Sequence, residues 1–319
     1  MRRRVLVSTR LLPAGFDELL GKYEVVSPET GMFSTDELLN LLPHFDAFIP
    51  TFQCKVDKAM IDAAACRIRI IANYGVGYNN IDVEYAAQKG IVVTNTTDPV
   101  VEPTAELALA LMHAAARRVA ECDRKLRVAD GLKWGVLENL GLSLYGKTLG
   151  IVGMGRIGQA LARRAVACGM EIVYYNRKRL DPVIENRYNA RWVSLDDLLT
   201  LADVVSLHTP LTDATHHLID AAKLELMKST AILVNTARGP VVDEQALAIA
   251  LQSKKIYAAA LDVYELEPHI NELLLRQDNV VLLPHVGTAT VDARNEMSRF
   301  ASQNIIRFFE GRSDYNRVN

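Results

Sequence analysis

Thr148-Leu149-Gly150-Ile151-Val152 runs directly into Gly153-Met154-Gly155-Arg156-Ile157-Gly158, and this stretch decides the fold. The apolar run is typical of a buried parallel strand. A helix pattern, residues 159–166, follows at once. Strand, GxGxxG turn and helix in that order form the dinucleotide-binding fingerprint, whereas a merely glycine-rich turn lacks the flanking elements. The stretch therefore predicts a Rossmann domain that binds a dinucleotide.

Each glycine of the turn has a separate predicted task. Gly153 allows the tight turn, Gly155 lets a pyrophosphate approach the backbone, and Gly158 lets the helix pack closely on the strand. Arg156 and Ile157 open the helix, where unpaired N–H groups and the positive end of the dipole face the anion. All five residues are predicted to bind the cofactor.

The end of the next strand, Glu171–Tyr175, indicates which dinucleotide is bound. NAD-binding domains carry an acid about 20 residues after the glycines, where it binds the ribose 2′-hydroxyl. Here Asn176 stands at that place, followed by Arg177 and Lys178. An arginine can grip a 2′-phosphate through paired charge-assisted hydrogen bonds. The alternative is a solvated basic loop, but the pattern favours NADP as the preferred cofactor, with NAD possible.

Composition excludes several classes of protein. The 319 residues exceed a single core, so two domains are expected. A formal net charge of −2 gives no overall electrostatic footprint for nucleic acid or membrane. The four cysteines are scattered without CxxC spacing, which predicts neither a disulfide nor a metal site. The apolar run after Met1–Arg4 is too short for a signal peptide, so a soluble, cytoplasmic protein is expected.

The first hundred residues alternate strand and helix patterns, which predicts a parallel sheet with helices on both faces. The predicted strands are Val5–Ser8, Tyr23–Val26, Ala47–Ile49, Ile68–Ala72 and Ile91–Thr94. The predicted helices between them are Phe16–Leu20, Thr35–Leu42, Lys58–Ala65 and Val83–Lys89.

Two long helix patterns flank the central block, about Thr104–Val128 and Val291–Glu310. The block itself carries further predicted strands at Arg191–Val193, Asp203–Leu207, Ala231–Asn235, Ala258–Leu261 and Val280–Leu283. We expect the segment after His285 to return to the first domain, which leaves a cleft between two halves. The predicted domains are residues 1–99 with 286–319, and residues 100–285.

In open parallel sheets, ligands bind beyond the carboxyl ends of the strands. Four predicted strands of the central block are each followed by a polar segment. By this rule the four segments meet at one edge of the sheet. These segments are His208-Thr209-Pro210, Thr236-Ala237-Arg238-Gly239, Asp262 with Glu265 and Glu267, and Pro284-His285-Val286-Gly287. An arginine, a carboxylate and a histidine beside a nicotinamide are the groups needed to reduce a 2-oxo acid.

The chemistry assigns a role to each of the three. Arg238 can bind a carboxylate or carbonyl through a two-pronged bond. His285 can donate a proton to the developing alkoxide. Glu267 can accept the other imidazole N–H and so fix the tautomer. Singly, each has an ordinary alternative, namely a surface ion pair, a turn or a core histidine; together they predict a catalytic site. His208 is expected to line the cofactor groove. His216, His217 and His269 show no acid partner in the sequence and are interpreted as structural.

These segments resemble the D-isomer-specific 2-hydroxyacid dehydrogenases, and the resemblance covers nearly the whole chain. It rests on Gly153–Gly158, Asn235–Asp243, Leu261–Pro268, Pro284–Gly287 and, in the first domain, Asn73–Asp82. The resemblance implies an α/β fold of two doubly wound parallel-sheet domains, with the Rossmann cofactor domain inserted in a flavodoxin-like substrate domain. It also implies a homodimer that pairs through the cofactor domains.

The same resemblance implies residue roles. Arg238, Glu267 and His285 would be the catalytic trio, with Arg238 and His285 also contacting substrate and cofactor. Asp262 would hold the nicotinamide carboxamide, and Thr104 would contact the cofactor phosphates. Thr209, Pro210, Thr236, Ala237 and Gly287 would line the cofactor site. Tyr74, Gly75, Val76 and Gly77 would bind the substrate, whose carboxylate the backbone of Val76 and Gly77 would cradle across the cleft.

Within the family, the chain looks most like the glyoxylate/hydroxypyruvate reductases, which also act on 2-ketogluconate. Phe52, Gln53, Cys54 and Tyr74 are expected to line the substrate pocket but do not name the substrate. One alternative is an NAD-linked dehydrogenase of another D-2-hydroxy acid, such as D-lactate. Another is a dinucleotide-sensing binding protein like the corepressors that share this fold.

Overall fold

The computed structural model describes residues 2–128 and 130–319. The chain forms two compact units, Met1–Pro103 with Thr288–Asn319, and Thr104–Gly287. Each unit is built on its own parallel sheet. The two doubly wound α/β sheets predicted from the sequence are confirmed.

The sheet of the first unit has the strand order β2-β1-β3-β4-β5, and every pairing in it is parallel. This order is that of the flavodoxin-like folds. All five strands lie where the sequence predicted them, with ends that differ by at most two residues. They are Arg4–Val7 (β1), Glu24–Val26 (β2), Ala47–Ile49 (β3), Ile70–Ala72 (β4) and Val92–Thr94 (β5).

Both faces of this sheet are covered, because successive side chains of a strand point to opposite faces. Val5 and Val7 of β1 pack on one side, in a core cluster with Ile305 of the last helix. Leu6 packs on the other side, with Phe48 of β3. The helices of this unit are Asp17–Lys22 (α1), Thr35–Leu41 (α2), Lys58–Ala64 (α3), Val83–Gln88 (α4) and, at the end of the chain, Val291–Phe309 (α13).

The sheet of the second unit is also parallel, with the order β12-β11-β10-β9-β6-β7-β8. The order reverses between β6 and β9, and such switch points are where open α/β sheets bind ligands. The strands are Thr148–Val152 (β6), Glu171–Tyr175 (β7), Ala190–Trp192 (β8), Val204–Leu207 (β9), Ile232–Asn235 (β10), Ala258–Leu261 (β11) and Val280–Leu282 (β12). The helices are Val101–Ala116 (α5), Val119–Leu126 (α6), Arg156–Ala167 (α7), Pro182–Tyr188 (α8), Leu195–Leu201 (α9), Ala221–Leu226 (α10), Glu244–Gln252 (α11) and Glu272–Leu275 (α12).

The single helix predicted over Thr104–Val128 is wrong, because the chain breaks it between α5 and α6. Arg118 takes a left-handed conformation, with φ of 54°. The last carbonyl of α5, that of Ala116, accepts a hydrogen bond from the Leu142 N–H at 2.8 Å. A chain segment far along the sequence thus ends the helix, with no glycine or proline to announce it.

Among the described residues, every helix is too short or too polar to span a lipid bilayer.

Candidate active site

The three glycines of the turn after β6 differ in whether the fold itself requires a glycine at that position. Gly153 has φ of +95°, and a Cβ there would lie 2.8 Å from the His208 carbonyl group. A Cβ on Gly158 would lie 2.7 Å from the Gly153 carbonyl oxygen. Both glycines are therefore required by the packing of the turn itself.

Gly155 is different, because a Cβ there would meet no atom of this chain within 4 Å. It is the N-cap of α7, with φ −79° and ψ −154°, which other residues can adopt. The open space lies over the helix N-terminus, where unpaired N–H groups and the dipole favour an anion. No contact within the chain requires a glycine at this position, and the space left open there fits a dinucleotide pyrophosphate.

Gly155→Ala should therefore weaken cofactor binding without destabilising the fold. We expect the melting temperature to stay within about 2 °C of the unsubstituted protein, since a compatible Gly→Ala change shifts stability by under about 1 kcal/mol. The KM for the nicotinamide dinucleotide should rise at least about tenfold, because the methyl group fills the space that the pyrophosphate needs. Thermal denaturation and cofactor titration measure the two effects. An unchanged cofactor KM would mean that the pyrophosphate lies elsewhere.

The loop after β7 holds Asn176 against the same turn. Its Oδ1 accepts a hydrogen bond from the Met154 N–H at 2.7 Å, and its carbonyl accepts one from Trp192 Nε1 at 3.1 Å. Arg177 and Lys178 are exposed, and neither forms an ion pair with any described residue. Arg179, in contrast, is bound to both carboxylate oxygens of Glu185. Two cations therefore face solvent where NAD-binding domains carry an acid.

The ends of β9 and β10 bring further polar groups to the switch point. The Nδ1 atom of His208 and the hydroxyls of Thr209 and Thr236 are buried with no hydrogen-bond partner in the described part of the chain. Nε2 of His208 lies 2.9 Å from the Ser206 hydroxyl, and burial lowers the His208 pKa to about 4. The ring is thus neutral in the physiological range. Buried polar atoms without partners are rare in proteins, and a bound polar ligand would satisfy them.

The structure brings Glu267 and His285 together as predicted from the sequence. His285 Nδ1 lies 2.8 Å from Glu267 Oε2, and the Tyr264 N–H donates to Glu267 Oε1 at 3.0 Å. Burial would raise the pKa of Glu267, but the hydrogen bond and charge of His285, the Tyr264 N–H and the charge of Arg238 together lower it. The carboxylate is therefore ionised at neutral pH and can hold the imidazole in one orientation.

Arg238 lies three residues beyond the end of β10, and its guanidinium donates to the Ala237 carbonyl at 2.6 Å. Burial lowers its pKa from the ordinary value, and the charge of Glu267 opposes this effect. An arginine remains protonated despite such a shift, because its ordinary pKa is so high. Arg238 thus supplies a fixed positive charge in a poorly solvated place.

Asp262 stands at the end of β11 and fixes the segment that follows His285. Its two carboxylate oxygens accept the N–H groups of Val286 at 2.7 Å and Gly287 at 2.8 Å. Burial raises the Asp262 pKa, while these hydrogen bonds and the charge of His285 oppose the rise. A Cβ on Gly287 would lie 3.6 Å from the Thr104 hydroxyl, so the start of the second unit reaches the same place.

The loops that carry Arg238 and Glu267 also pack directly on each other. A Cβ on Gly239 would lie 1.9 Å from the Tyr264 carbonyl carbon and 2.4 Å from the Glu265 nitrogen. This contact requires a glycine immediately after Arg238. The position of the guanidinium is therefore coupled to the segment that positions the carboxylate of Glu267.

A second cluster of side chains, formed by His217, Glu244 and Glu265, was not predicted from the sequence. His217 Nε2 lies 2.9 Å from Glu265 Oε1, which also accepts the Glu244 N–H at 3.1 Å. The Glu265 N–H in turn donates to Glu244. The interpretation of His217 as a residue without an acid partner is therefore wrong. No motif signals the pair, because 48 residues separate its members.

In the first unit, the predicted substrate-binding segment Tyr74–Gly77 follows β4. The Tyr74 side chain is only 1% exposed, and its hydroxyl donates to the Arg294 carbonyl at 2.6 Å. Cys54 is buried as well, and burial raises its pKa to about 12. The expectation that these two side chains line a pocket is therefore wrong. Val76, two residues further on, is exposed.

Comparison with known proteins agrees with this arrangement. Residues 109–287 match the family model described as D-isomer specific 2-hydroxyacid dehydrogenase, NAD binding domain. The chain is 46% identical to a glyoxylate reductase from Thermococcus kodakarensis, over 98% of this chain and 94% of that protein. It is similar to a solved structure of a Thermus thermophilus protein, with a TM-score of 0.91, 41% identity, and coverage of 99% of this chain and 100% of the other.

A further solved structure shares the whole fold with a bound cofactor. It is an NADPH-dependent glyoxylate/hydroxypyruvate reductase from Sinorhizobium meliloti in complex with NADP and malonate. The TM-score is 0.85 and the identity 33%, over 100% of this chain and 97% of that one. The family match spans the unit that contains the glycine turn, Arg238, Glu267 and His285. The chain therefore belongs to the D-isomer specific 2-hydroxyacid dehydrogenases, whose cofactor is a nicotinamide dinucleotide.

Proposed function

We propose that this protein reduces small 2-oxo acids, glyoxylate and hydroxypyruvate first among them, to D-2-hydroxy acids. The observation that carries the proposal is the His285–Glu267 pair at 2.8 Å beside Arg238, at the edge of the sheet that bears the glycine turn. 2-Ketogluconate is a further candidate substrate. The relatives from Thermococcus kodakarensis and Sinorhizobium meliloti carry the names of glyoxylate and glyoxylate/hydroxypyruvate reductases, which supports this choice.

The nicotinamide, when bound, supplies the hydride, and the residues of the chain supply position, charge and a proton. Arg238 binds the 2-oxo acid through its planar fork and polarises the carbonyl. Because Nδ1 of His285 is bound to Glu267, Nε2 is the atom that gives a proton to the developing alkoxide. Glu267 stabilises the charged imidazole before transfer and keeps it oriented. In the first unit, the backbone of Val76 and Gly77 binds the substrate carboxylate.

A substrate panel tests this function. Glyoxylate, hydroxypyruvate, 2-ketogluconate and pyruvate are each assayed with NADPH and with NADH, by following absorbance of the reduced nicotinamide. We expect the highest kcat/KM with glyoxylate or hydroxypyruvate. A clear preference for pyruvate would make the protein a D-lactate dehydrogenase. Binding of NADPH without turnover of any 2-oxo acid would instead indicate a dinucleotide-sensing protein.

The exposed cations after β7 predict the cofactor preference. NADPH should have the higher kcat/KM by roughly tenfold to a hundredfold, since a hydrogen bond to a charged group contributes about 1.5–3 kcal/mol. Arg177→Ala should remove most of this preference by raising the NADPH KM. Arg179→Ala serves as the matched control, because Glu185 already binds that guanidinium. Equal efficiencies of the two cofactors in the unsubstituted protein would contradict the assignment to NADP.

We also propose that the protein is a homodimer that pairs through its second unit. Trp134, Val136 and Leu137 are 88%, 93% and 83% exposed, and large apolar side chains exposed close together in the sequence favour an interface. Light scattering should give twice the mass of one chain. Replacing Trp134 and Leu137 by serine together should shift the population toward the monomer. A monomeric unsubstituted protein would contradict the proposal.

A further inference from the structure

Asparagine side chains donate a hydrogen bond to each of the three backbone carbonyls of residues 75–77. Asn73 Nδ2 donates to the Gly75 carbonyl at 3.2 Å and to the Gly77 carbonyl at 2.9 Å. Asn95 Nδ2 donates to the Val76 carbonyl at 2.8 Å. Three consecutive carbonyls are thus held on the protein side of the loop.

A third asparagine fixes the orientation of Asn73. Asn80 Nδ2 donates to Asn73 Oδ1 at 3.2 Å, and to the carbonyls of Thr51 and Cys54, each at 3.1 Å. The amide oxygen of Asn73 therefore faces Asn80, and its NH₂ group faces the loop. Asn73 is 1% exposed, so solvent does not compete for these hydrogen bonds.

The geometry of the peptide bond converts this arrangement into a binding surface. In a trans peptide the C=O and the following N–H point in opposite directions. Holding the carbonyls of Gly75 and Val76 inward therefore turns the N–H groups of Val76 and Gly77 outward. None of the described residues accepts a hydrogen bond from either N–H, and Val76 lies at the surface. Successive outward N–H groups form a concavity that binds anions.

We propose that Asn73, oriented by Asn80, and Asn95 are positioning residues that aim the backbone N–H groups of Val76 and Gly77 at the substrate carboxylate. The inference rests on the proposed reduction of 2-oxo acids and names the residues that build its carboxylate site. The side chains touch neither substrate nor cofactor. They act through the loop backbone, whose peptide groups they orient together with the Thr96 N–H, which donates to the Gly75 carbonyl at 3.0 Å.

Asn73→Asp tests the proposal, because a carboxylate has the shape of the amide but cannot donate to the two carbonyls. We expect the glyoxylate KM to rise about tenfold to a hundredfold, the range for lost hydrogen bonds to a charged group. The kcat and the NADPH KM should stay within about threefold. The ratio of kcat/KM for glyoxylate to that for its neutral methyl ester should fall, whereas general structural damage would lower both values alike.

Asn319→Asp is the matched control, since Asn319 Nδ2 also donates to two carbonyls of the same unit, those of Val83 and Ile91. It should lower the melting temperature without changing the ratio of acid to ester. Asn95→Ala is the second variant; it removes the single bond to Val76 and should raise the glyoxylate KM about three- to tenfold. It decides the matter if Asn73→Asp does not fold.

An unchanged acid-to-ester ratio in Asn95→Ala, and in Asn73→Asp where it folds, would overturn the inference. An equal fall of the acid-to-ester ratio in Asn319→Asp and in Asn73→Asp would overturn it as well, because the effect would then be structural. Failure of the proposed function is distinguishable, since it is seen in the unsubstituted protein as absent turnover of every 2-oxo acid.

Discussion

His285→Gln should lower kcat for 2-oxo acid reduction by about a hundredfold to ten-thousandfold, the usual contribution of a general acid. Glutamine keeps a polar side chain of similar reach but cannot release a proton. NADPH affinity should change far less than kcat, since the dinucleotide pyrophosphate is expected at the N-terminus of α7 and is bound by other residues. Steady-state kinetics and cofactor titration measure the two effects.

Glu267→Gln tests the same pair through pH. Reduction needs a proton from the imidazole, so kcat/KM should fall as pH rises. The lowered pKa of Glu267 keeps its carboxylate ionised throughout this rise, and this charge favours the charged imidazole. Removing the charge should lower kcat/KM, because the protonated imidazole loses the carboxylate that stabilises and orients it. The activity should be reduced but still measurable.

Two outcomes would contradict the assignment. If Glu267→Gln leaves kcat/KM unchanged across the pH range, the glutamate does not act on the proton donor. If His285→Gln keeps most of kcat and its pH dependence, another group donates the proton. Asn271→Gln is a suitable control in the same unit, because Asn271 caps α12 and has no place in the proton transfer.

Gly239→Ala should lower the rate of catalysis by displacing the backbone, without removing any catalytic side chain. The new Cβ would lie 1.9 Å from the Tyr264 carbonyl group, so the segments that carry Arg238 and Glu267 must move apart. A displacement of about 1 Å at a catalytic group can cost about a hundredfold in rate. We expect kcat/KM for the oxo acid to fall by at least that factor, with a stability loss of about 1–3 kcal/mol from overpacking.

Gly21→Ala is the control for this substitution, because a Cβ on Gly21 meets nothing within 4 Å and the residue lies within α1. It should leave activity unchanged and stabilise the protein slightly. The measurements are kcat/KM and thermal denaturation of both variants. Activity of Gly239→Ala within about threefold of the unsubstituted protein would show that the two loops are not coupled.

The parts of this structure that local patterns determine were predictable from the sequence. The strands and the glycine turn were found because burial on both faces of a parallel sheet demands continuous apolar runs, and because a tight turn demands glycine. The pairing of His285 with Glu267 followed from the rule that carboxyl ends of parallel strands meet at one edge. Residue roles within that edge remain predictions, since no substrate or cofactor contact tests them.

The features that depend on distant contacts were not predictable. The break at Arg118 is stabilised by a hydrogen bond from Leu142, which no helix propensity reveals. Tyr74 was expected at the substrate pocket, yet its side chain packs against α13. The asparagines that hold this loop are ordinary polar residues in the sequence. Their function depends on which carbonyl each one reaches.

The discontinuity of the first unit has a consequence for synthesis of the chain. Its core includes Met297, Ala301 and Ile305 of α13, and its hydrogen bond from Tyr74 to Arg294 spans 220 positions. The second unit is continuous, so all of its residues leave the ribosome before the first unit can be completed. The usual N-terminal-first order of domain folding is therefore reversed here. Until α13 emerges, the nascent first unit lacks the side chains of Met297, Ala301 and Ile305 on one face of its sheet, which is when a chaperone would be needed most.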